Sequence, residues 1–123
     1  MKNPPNTYVC PVVLEPVAGA LDQFFVGALA QGDAVGGIEA HRLIRDDTLC
    51  AMYGKKGKNL CTLIDQGLGI LLLVAKQRGS LQNLPVGVLG LRPGSTRHIF
   101  ASSLDDAFRT CALLYSSGNG WRE

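Results

Sequence analysis

The sequence holds few residues whose type and spacing could perform nucleophilic chemistry. The chain has four cysteines and two histidines, His41 and His98. Nucleophilic catalysis needs a Cys or Ser activated by a base, usually a histidine that a third group orients. Neither histidine lies in a recognisable catalytic motif, and each is next to an arginine. Cys61 or Cys111 could still meet His98 in space, so thiol-dependent catalysis or ligand binding stays an alternative interpretation.

The acidic residues and cysteines lack the spacing of an acid–base or metal site. Asp46 is adjacent to Asp47, and Asp105 to Asp106, and adjacent side chains point in different directions on a helix or strand. The four cysteines form no C-x-x-C pair and match no zinc or haem spacing. The sequence therefore predicts no catalytic residue, no metal site and no cofactor, and it favours a binding protein over an enzyme.

Phosphate, nucleic acid and membrane are not predicted ligands. The segment Gly54–Lys58 contains Gly and Lys, but it lacks the Walker spacing and its Ser or Thr. Its lysines are expected at a solvated hairpin tip. A net charge of +2 is too small to indicate nucleic acid. The longest apolar stretch, Gly67–Ala75, is far shorter than the roughly 20 residues that a membrane span needs.

The totals predict one small cytoplasmic domain over residues 1–123. The chain is 46% hydrophobic and 18% charged, which is typical of a globular protein. Residues 1–6 and 117–123 are expected to form flexible ends. No secretory signal is recognised, since prolines interrupt the N-terminal apolar run. The cysteines lie in apolar stretches, which predicts buried free thiols and a reducing compartment.

In the first half of the chain, the patterns predict a strand, a helix and a hairpin. Thr7–Leu14 is rich in β-branched residues, and Pro11 places this strand at an edge or at a bulge. The apolar residues of 18–31 recur at helical steps, and Gly32 would end that helix. Residues 39–45 and 48–53 favour two strands, although one helix over 39–53 fits as well.

In the second half, the patterns alternate between strand and helix. Strands are expected at 59–64 and 85–91, and a turn at 92–95; 97–101 fits either a short helix or a strand. The leucines of Gly67–Gln77 favour a helix capped by Asp65, with a buried strand as the alternative. Ser102 and Ser103 precede two aspartates in capping-box spacing and begin a last helix. We therefore expect an α/β or α+β fold, with a single mixed sheet of about four or five strands packed by helices.

Two stretches resemble the STAS domain, the module of anti-sigma-factor antagonists and of sulphate-transporter tails. Val12–Leu14 followed by Gly19–Asp22 resembles the opening strand of that family and its turn into the first helix. Leu63–Leu72 resembles the strand that ends in Asp and the Gly-Leu-Gly entry to the next helix. Further similarities bring the coverage to most of residues 12–108: Val86–Leu89, Arg97–Phe100 and Leu104–Phe108.

The resemblance implies a STAS-like fold and a partner that docks on the loop between that strand and helix. The docking residues would be Asp65, Gln66, Gly67, Leu68 and Gly69. The loop of the family usually reads Asp-Ser-Ser/Thr-Gly and is phosphorylated on serine, whereas this loop has no hydroxyl. The phosphorylation switch is therefore not expected in its usual place. A bulky residue at Gly67 is expected to abolish docking and leave the fold intact.

Three functions follow from these patterns. The first is a non-enzymatic regulatory module that binds a protein partner. The second is a small homo-oligomeric adaptor or secretion-chaperone-like protein of α+β fold, with the charge-poor stretch Leu68–Val74 partly in an interface. The third is a thiol-dependent enzyme or small-ligand binder that uses Cys61 or Cys111. A protein partner is predicted, a homo-oligomer is allowed, and neither nucleic acid nor membrane is expected.

Overall fold

The computed structural model describes residues 5–14, 24–32 and 37–116. Within these ranges the chain forms five strands and three helices. In chain order they are β1 (Thr7–Leu14), β2 (Phe24–Gly32), β3 (Gly37–Arg42), α1 (Asp46–Tyr53), α2 (Lys56–Arg78), β4 (Leu91–Pro93), β5 (Arg97–Ile99) and α3 (Leu104–Ser116).

The strands form one antiparallel sheet in the order β3-β2-β1-β4, and β5 also pairs with β1. β4 pairs with the second half of β1 and β5 with its first half. Between them, the Gly94 amide donates to the Pro11 carbonyl at 2.7 Å. The expected α+β class, with a sheet of about five strands packed by helices, is confirmed. All pairings among the described strands are antiparallel, so the expected mixed sheet is not what forms.

The sheet carries a hydrophobic core on each face, which gives three layers with the sheet in the middle. α1 and α2 cover one face, where the fully buried side chains include Leu29, Leu49, Ile64, Leu71 and Leu91. α3 covers the other face, where Val9, Phe25, Ala28, Phe108 and Cys111 are buried. The two faces together leave β1 and β2 with little exposure to solvent.

The helix expected over 18–31 is wrong for residues 24–31, which belong to the strand β2, while 18–23 lie outside the described residues. Burial on both faces explains the error. Phe25, Val26, Ala28, Leu29 and Ala30 are all buried, some beneath α2 and some beneath α3. A strand covered on both faces loses the apolar–polar alternation that marks a half-exposed one. Its apolar residues then match helical steps as well as they match a strand.

The hairpin expected over 39–53 is correct only in its first strand. β3 ends at Arg42, and the second half is the helix α1 rather than a strand. α1 stops at Gly54, whose φ of 63° is favoured in glycine. α2 then begins at Lys56, so the lysines lie at the junction of two helices and not at a hairpin tip.

The strand expected at 59–64 is also wrong, because α2 runs from Lys56 to Arg78 without a break. The helical alternative for Gly67–Gln77 is confirmed. Asp65 is an interior residue of this helix and does not cap it. The buried side of α2 recurs at steps of three and four residues, which is the periodicity of one helix face, and comprises Gly57, Cys61, Ile64, Gly67, Leu68, Leu71 and Ala75.

The strand pairing at the C-terminal end differs in detail from the expectation. Residues 85–90 form a loop rather than a strand, with an isolated bridge between Val88 and Leu91, where β4 begins. The expected turn at 92–95 overlaps β4, and the strand alternative for 97–101 is confirmed as β5. β1 lies inside the sheet and not at an edge, but a register shift between Val12 and Val13 supplies the bulge that Pro11 suggested.

The N-terminal end is better fixed than its composition suggested. The Asn6 amide group donates to the Ala101 carbonyl at 3.0 Å and accepts from the Ala101 amide at 2.9 Å. The Asn6 backbone amide also donates to Ile99 at 2.9 Å. Asn6 is therefore held in the fold and is not part of a flexible end as expected. The remaining expectations for 1–4 and 117–123 lie outside the described residues.

The capping box that begins α3 is confirmed. The Asp106 amide donates to the Ser103 hydroxyl at 3.1 Å, and the Ser102 amide donates to the Asp106 carboxylate at 2.9 Å. The hydrogen bond from the Ser102 amide is the largest cause that lowers the pKa of Asp106. Near the end of this helix, Tyr115 packs on the core and Leu114 is exposed.

Ser103→Ala should lower the free energy of unfolding by about 1 kcal/mol, the usual cost of losing a helix N-cap. The variant leaves the Asp106 amide without its acceptor in the first turn of α3. Chemical denaturation followed by circular dichroism measures the change. Ser95→Ala, in the loop before β5, is the control. Equal stability of the two variants would show that the capping box does not hold α3.

Candidate functional site

The structure places the five expected docking residues in the middle of α2. The strand-to-helix loop implied by the STAS resemblance is not present at Asp65, because both sides of this residue are helical. Gly67 and Leu68 are buried, while Asp65, Gln66 and Gly69 are exposed. The five residues therefore do not form one surface. Three belong to the outside of the helix and two to its packed side.

Gly67 is a packing position and not a free docking residue. A Cβ at this position would lie 2.5 Å from Leu91 Cδ1 and 3.5 Å from the Val88 carbonyl oxygen. Leu91 is fully buried. A bulky residue at Gly67 would therefore separate α2 from β4, so the expectation that it would leave the fold intact is wrong.

The structure brings Asp65 into a polar cluster with Arg42, Asp46 and Cys61, which we call the Arg42 cluster. The Arg42 guanidinium donates to Asp65 at 2.8 Å through Nε and pairs with Asp46 at 2.6 Å through Nη1. Nη1 also donates to the Ile44 carbonyl at 2.8 Å. The Cys61 thiol donates to the Asp46 carboxylate at 3.5 Å. The cluster thus joins the end of β3 to the start of α1 and to the first half of α2.

Burial and the hydrogen bond to Asp46 favour the neutral form of the Cys61 thiol. Burial is the first cause that raises the pKa of Cys61, and the hydrogen bond to Asp46 is the second, while the positive charge of Arg42 opposes both. The pKa of Asp46 is lowered, first by the hydrogen bond from Arg42 and then by that from Cys61. A protonated thiol is a weak nucleophile. The arrangement is more typical of a polar contact that holds β3, α1 and α2 together than of a catalytic centre.

The other thiols and the histidines do not form a catalytic pair. Burial raises the pKa of Cys10 to about 11 and the pKa of Cys111 to about 12. His98 stacks on Tyr8 with ring centres 4.1 Å apart, and His41 lies 4.4 Å from the Phe108 ring. Among the described residues, no hydrogen bond joins either imidazole to a thiol. The expected burial of free thiols is confirmed for Cys10, Cys61 and Cys111, whereas Cys50 is half-buried.

Asp46→Asn should make Cys61 react several-fold faster with iodoacetamide near neutral pH. The substitution removes the anion that raises the Cys61 pKa and leaves Arg42, which lowers it, beside the sulfur. More thiolate then forms at a given pH, and the thiolate is the reactive species. Mass spectrometry of the native protein after timed alkylation gives the rate at each cysteine.

Asp47→Asn is the matched control, because Asp47 is the next residue and pairs with Arg45 at 2.9 Å instead. It should leave the Cys61 rate at the wild-type value. If both variants raise the Cys61 rate equally, the cause is general opening of α1 and not the charge at Asp46.

The second surface feature is the solvent side of α2. We call it the outer α2 face, formed by Leu63, Gln66, Gly69, Ile70 and Leu73. Its large apolar side chains are 40%, 43% and 59% exposed at Leu63, Ile70 and Leu73. Leu63, Gln66, Ile70 and Leu73 follow one another at steps of three and four, the spacing of a helix–helix seam. The sequence already shows these helical steps, but the strand expected at 59–64 separated Leu63 from the helix expected over Gly67–Gln77.

The loop before β4 also exposes apolar side chains, and it approaches α2 at Gly67. The Val88 carbonyl approaches α2 at Gly67, which lies one turn after Leu63 and one turn before Ile70. Val86 and Leu89, on either side of Val88, are 61% and 43% exposed. An exposed apolar surface of several large side chains is more typical of an interaction site than of ordinary protein surface.

Charge is arranged at the ends of α2 and not along it. Between Lys58 and Lys76 the helix has one charged residue, Asp65, and that carboxylate is paired with Arg42. Exposed cationic side chains stand at both ends of the helix: Lys55, Lys56 and Lys58 at its start, and Lys76 and Arg78 at its end. The outer α2 face is therefore an uncharged strip between two basic ends.

Among the described helices, α2 has the length and composition that could cross a membrane. Its most apolar 18-residue window has a mean hydropathy of 1.4, and a third of that window is buried inside the protein. The buried side includes Ile64 and Leu71, which pack against the sheet. Withdrawing α2 into a bilayer would expose one whole face of that sheet to water, which favours a role as the core helix of this domain.

Comparison of the chain with protein-family models, with curated proteins and with solved structures gives no match. The STAS resemblance therefore stays a prediction from the sequence.

Proposed function

We propose that this protein is a non-enzymatic regulatory protein-binding module that docks a partner helix on the outer α2 face. The observation that carries the proposal is the uncharged, exposed apolar strip on a helix whose opposite side already covers the sheet. The proposal keeps a docking role for this segment and moves it from a loop to a helix surface. Gln66 and Gly69 are the residues of the expected site that belong to this surface.

The geometry suits an amphipathic helix as the occupant. Side chains at steps of three and four present a narrow apolar stripe, which a second helix matches with the same spacing. Gly69 has no atom within 4 Å of where its Cβ would be, so it leaves a depression in the middle of the stripe. A partner side chain that fills this depression would bring the two helices close together.

The basic ends of α2 specify the chemistry of the partner. A helix with acidic residues at both ends of its apolar stripe would place them beside Lys58 and Lys76. These lysines are 18 residues apart, which corresponds to about 27 Å at 1.5 Å per residue. The partner is therefore an apolar helical segment whose acidic groups are spaced by about five turns.

The same charges disfavour a second copy of this chain as the occupant. In a parallel pair of α2 helices, Lys58 would face Lys58 and Lys76 would face Lys76. In an antiparallel pair, Lys58 of one copy would lie near Lys76 and Arg78 of the other. Both orientations bring like charges together, which costs free energy and does not favour the homo-oligomeric alternative.

The test is a titration of the protein with two synthetic helices that share one leucine stripe. One helix has glutamates at both ends and the other has lysines. We expect the acidic helix to bind, with an affinity that falls as ionic strength rises from about 0.1 M to about 1 M, where the Debye length drops from about 10 Å to about 3 Å. The basic helix should not bind. Fluorescence anisotropy measures both affinities.

Variants of the protein then locate the site. Leu73→Ala should weaken binding about tenfold, since truncation of a central apolar contact costs more than about 1 kcal/mol. Gly69→Trp should abolish binding, because it fills the depression from a position with open space around it. Leu113→Ala is the matched control, since Leu113 is an exposed leucine of α3, 63% exposed against 59% for Leu73.

Three results would overturn the proposal. One is that both synthetic helices bind with equal affinity, or that neither of them binds. Another is binding to vesicles that contain phosphatidylserine in place of the acidic helix, which would make the outer α2 face a membrane surface. The third is a concentration-dependent dimer in sedimentation that Gly69→Trp abolishes, which would favour the homo-oligomeric adaptor.

A further inference from the structure

A cleft lies on the α2 side of the sheet, beyond the C-terminal end of that helix. It has a volume of about 260 Å³ and is lined by Tyr8, Gln31, Ser80, Leu81, Gln82 and Thr96. Tyr8 and Gln31 are directly opposite in the pairing of β1 with β2 and form the floor. The residues just after α2 form one wall. The cleft shares no residue with the outer α2 face or with the Arg42 cluster.

Hydrogen bonds fix the walls of the cleft. The Gln31 carboxamide donates to the Gly79 carbonyl at 2.9 Å and so ties the floor to the end of α2. Gly79, at a φ of 69°, closes the helix, and the Ser80 amide donates to the Ala75 carbonyl at 3.2 Å. The Gln82 amide donates to the Ser80 hydroxyl at 3.0 Å. A cleft with fixed walls loses little entropy when a ligand binds.

Tyr8 supplies an aromatic wall that is already held in place. His98 stacks on its ring at 4.1 Å with an interplanar angle of 6°. His98 and Gln31 flank Tyr8 from opposite sides, since β5 and β2 are the two neighbours of β1 at this point. Of these two flanking residues, Gln31 lines the cleft and His98 does not. Tyr8 is 44% exposed, so its ring is open to a ligand.

The lining groups are polar without being charged. Of the six described residues that line the cleft, three carry hydroxyl groups and two carry carboxamides. Hydroxyl and carboxamide groups both donate and accept hydrogen bonds. None of the six carries a formal charge at neutral pH, which removes the usual attraction for phosphates and carboxylates.

We propose that this cleft binds the ring of an uncharged sugar. A sugar ring has an apolar C–H face that packs on an aromatic ring, and hydroxyl groups around its rim that both donate and accept. Tyr8 matches the first property, and Gln31, Ser80, Gln82 and Thr96 match the second. The volume of about 260 Å³ is at the small end for a ligand site, which suits a single ring. The site is independent of the proposed docking of a helix.

The test is a titration of the isotope-labelled protein with D-glucose and N-acetyl-D-glucosamine, followed by amide chemical shifts. We expect saturable shifts at Ser80, Gln82 and Thr96 for at least one of these sugars. Glucuronate should bind at least about tenfold more weakly, because its carboxylate would be desolvated without a cationic partner.

Two variants distinguish a specific sugar site from weak, non-specific binding of sugar to the protein surface. Tyr8→Leu should weaken binding about threefold to tenfold through loss of the aromatic wall, and Gln82→Ala should weaken it through loss of one carboxamide. Both variants must keep the dispersed amide spectrum of the folded protein. Leu73→Ala, on the outer α2 face, should leave sugar binding unchanged.

The proposal fails if neither sugar shifts these amides, or if the shifts survive the combination of Tyr8→Leu with Gln82→Ala. It also fails if the free bases adenine and uracil bind while the sugars do not. Failure of the acidic-helix titration has no bearing on these results, since the two sites share no residue.

Discussion

Leu71→Ala should lower the free energy of unfolding by about 2–5 kcal/mol, while Leu73→Ala should change it by less than about 0.5 kcal/mol. The two leucines are two positions apart on α2. Leu71 is fully buried against the sheet, and Leu73 is 59% exposed on the outer α2 face. Truncation of a buried leucine loses its transfer free energy and leaves a cavity, whereas truncation of an exposed one loses little. Urea denaturation of both variants measures the difference.

The comparison of Leu71 with Leu73 also tests the position of α2 in the fold. If α2 were a membrane span that left the sheet, the two truncations would have similar and small effects on the soluble domain. A large difference would show that one side of the helix belongs to the core. A small effect of Leu73→Ala would show that the fold does not need the exposed side, which is then available to a partner.

Gly57→Ala should destabilise the fold by about 2–3 kcal/mol, although alanine is the better helix former. A Cβ at Gly57 would lie 2.6 Å from Cys50 Cα, 2.7 Å from the Cys50 nitrogen and 2.8 Å from the Leu49 carbonyl carbon. All three atoms are backbone, so the clash cannot be relieved by a change of rotamer. α1 and α2 would have to separate at their closest approach, and the packing of Leu49 in the core would loosen.

Gly69→Ala is the matched control for this prediction, since it makes the same change in the same helix. No atom lies within 4 Å of where its Cβ would be. The variant should stabilise the fold by about 1 kcal/mol through helix propensity alone. Thermal and urea denaturation of the two variants should therefore move in opposite directions. A shift of the same sign in both would contradict the close approach of α1 to α2 at Gly57.

The two sides of α2 explain how one helix can serve both the fold and a partner. Its inner side holds the sheet through Ile64, Leu71 and their neighbours, and its outer side keeps apolar groups that the fold does not use. The Arg42 cluster fixes the helix against β3 and α1 and pairs the exposed carboxylate of Asp65 with a guanidinium. This division lets variants of the outer α2 face report on docking without loss of structure.

Local patterns determined the parts of this protein that local interactions stabilise. The capping box of α3 depends on hydrogen bonds within five residues, from Ser102 to Asp106, and it forms as expected. The helix over Gly67–Gln77 follows from leucine propensity and from its apolar steps, and β1 follows from its β-branched residues. Composition was also sufficient to indicate an α+β domain with buried free thiols.

Tertiary structure decided the features that depend on contacts between distant residues. β2 is a strand because helices cover both of its faces, and that burial erases the alternation by which a strand is recognised. Arg42 and Asp65 are 23 residues apart, and Tyr8 and Thr96 are separated by most of the chain, yet each pair shares one site. Periodicity reports which residues share a face, but only packing decides which face is already covered and which is left for a partner.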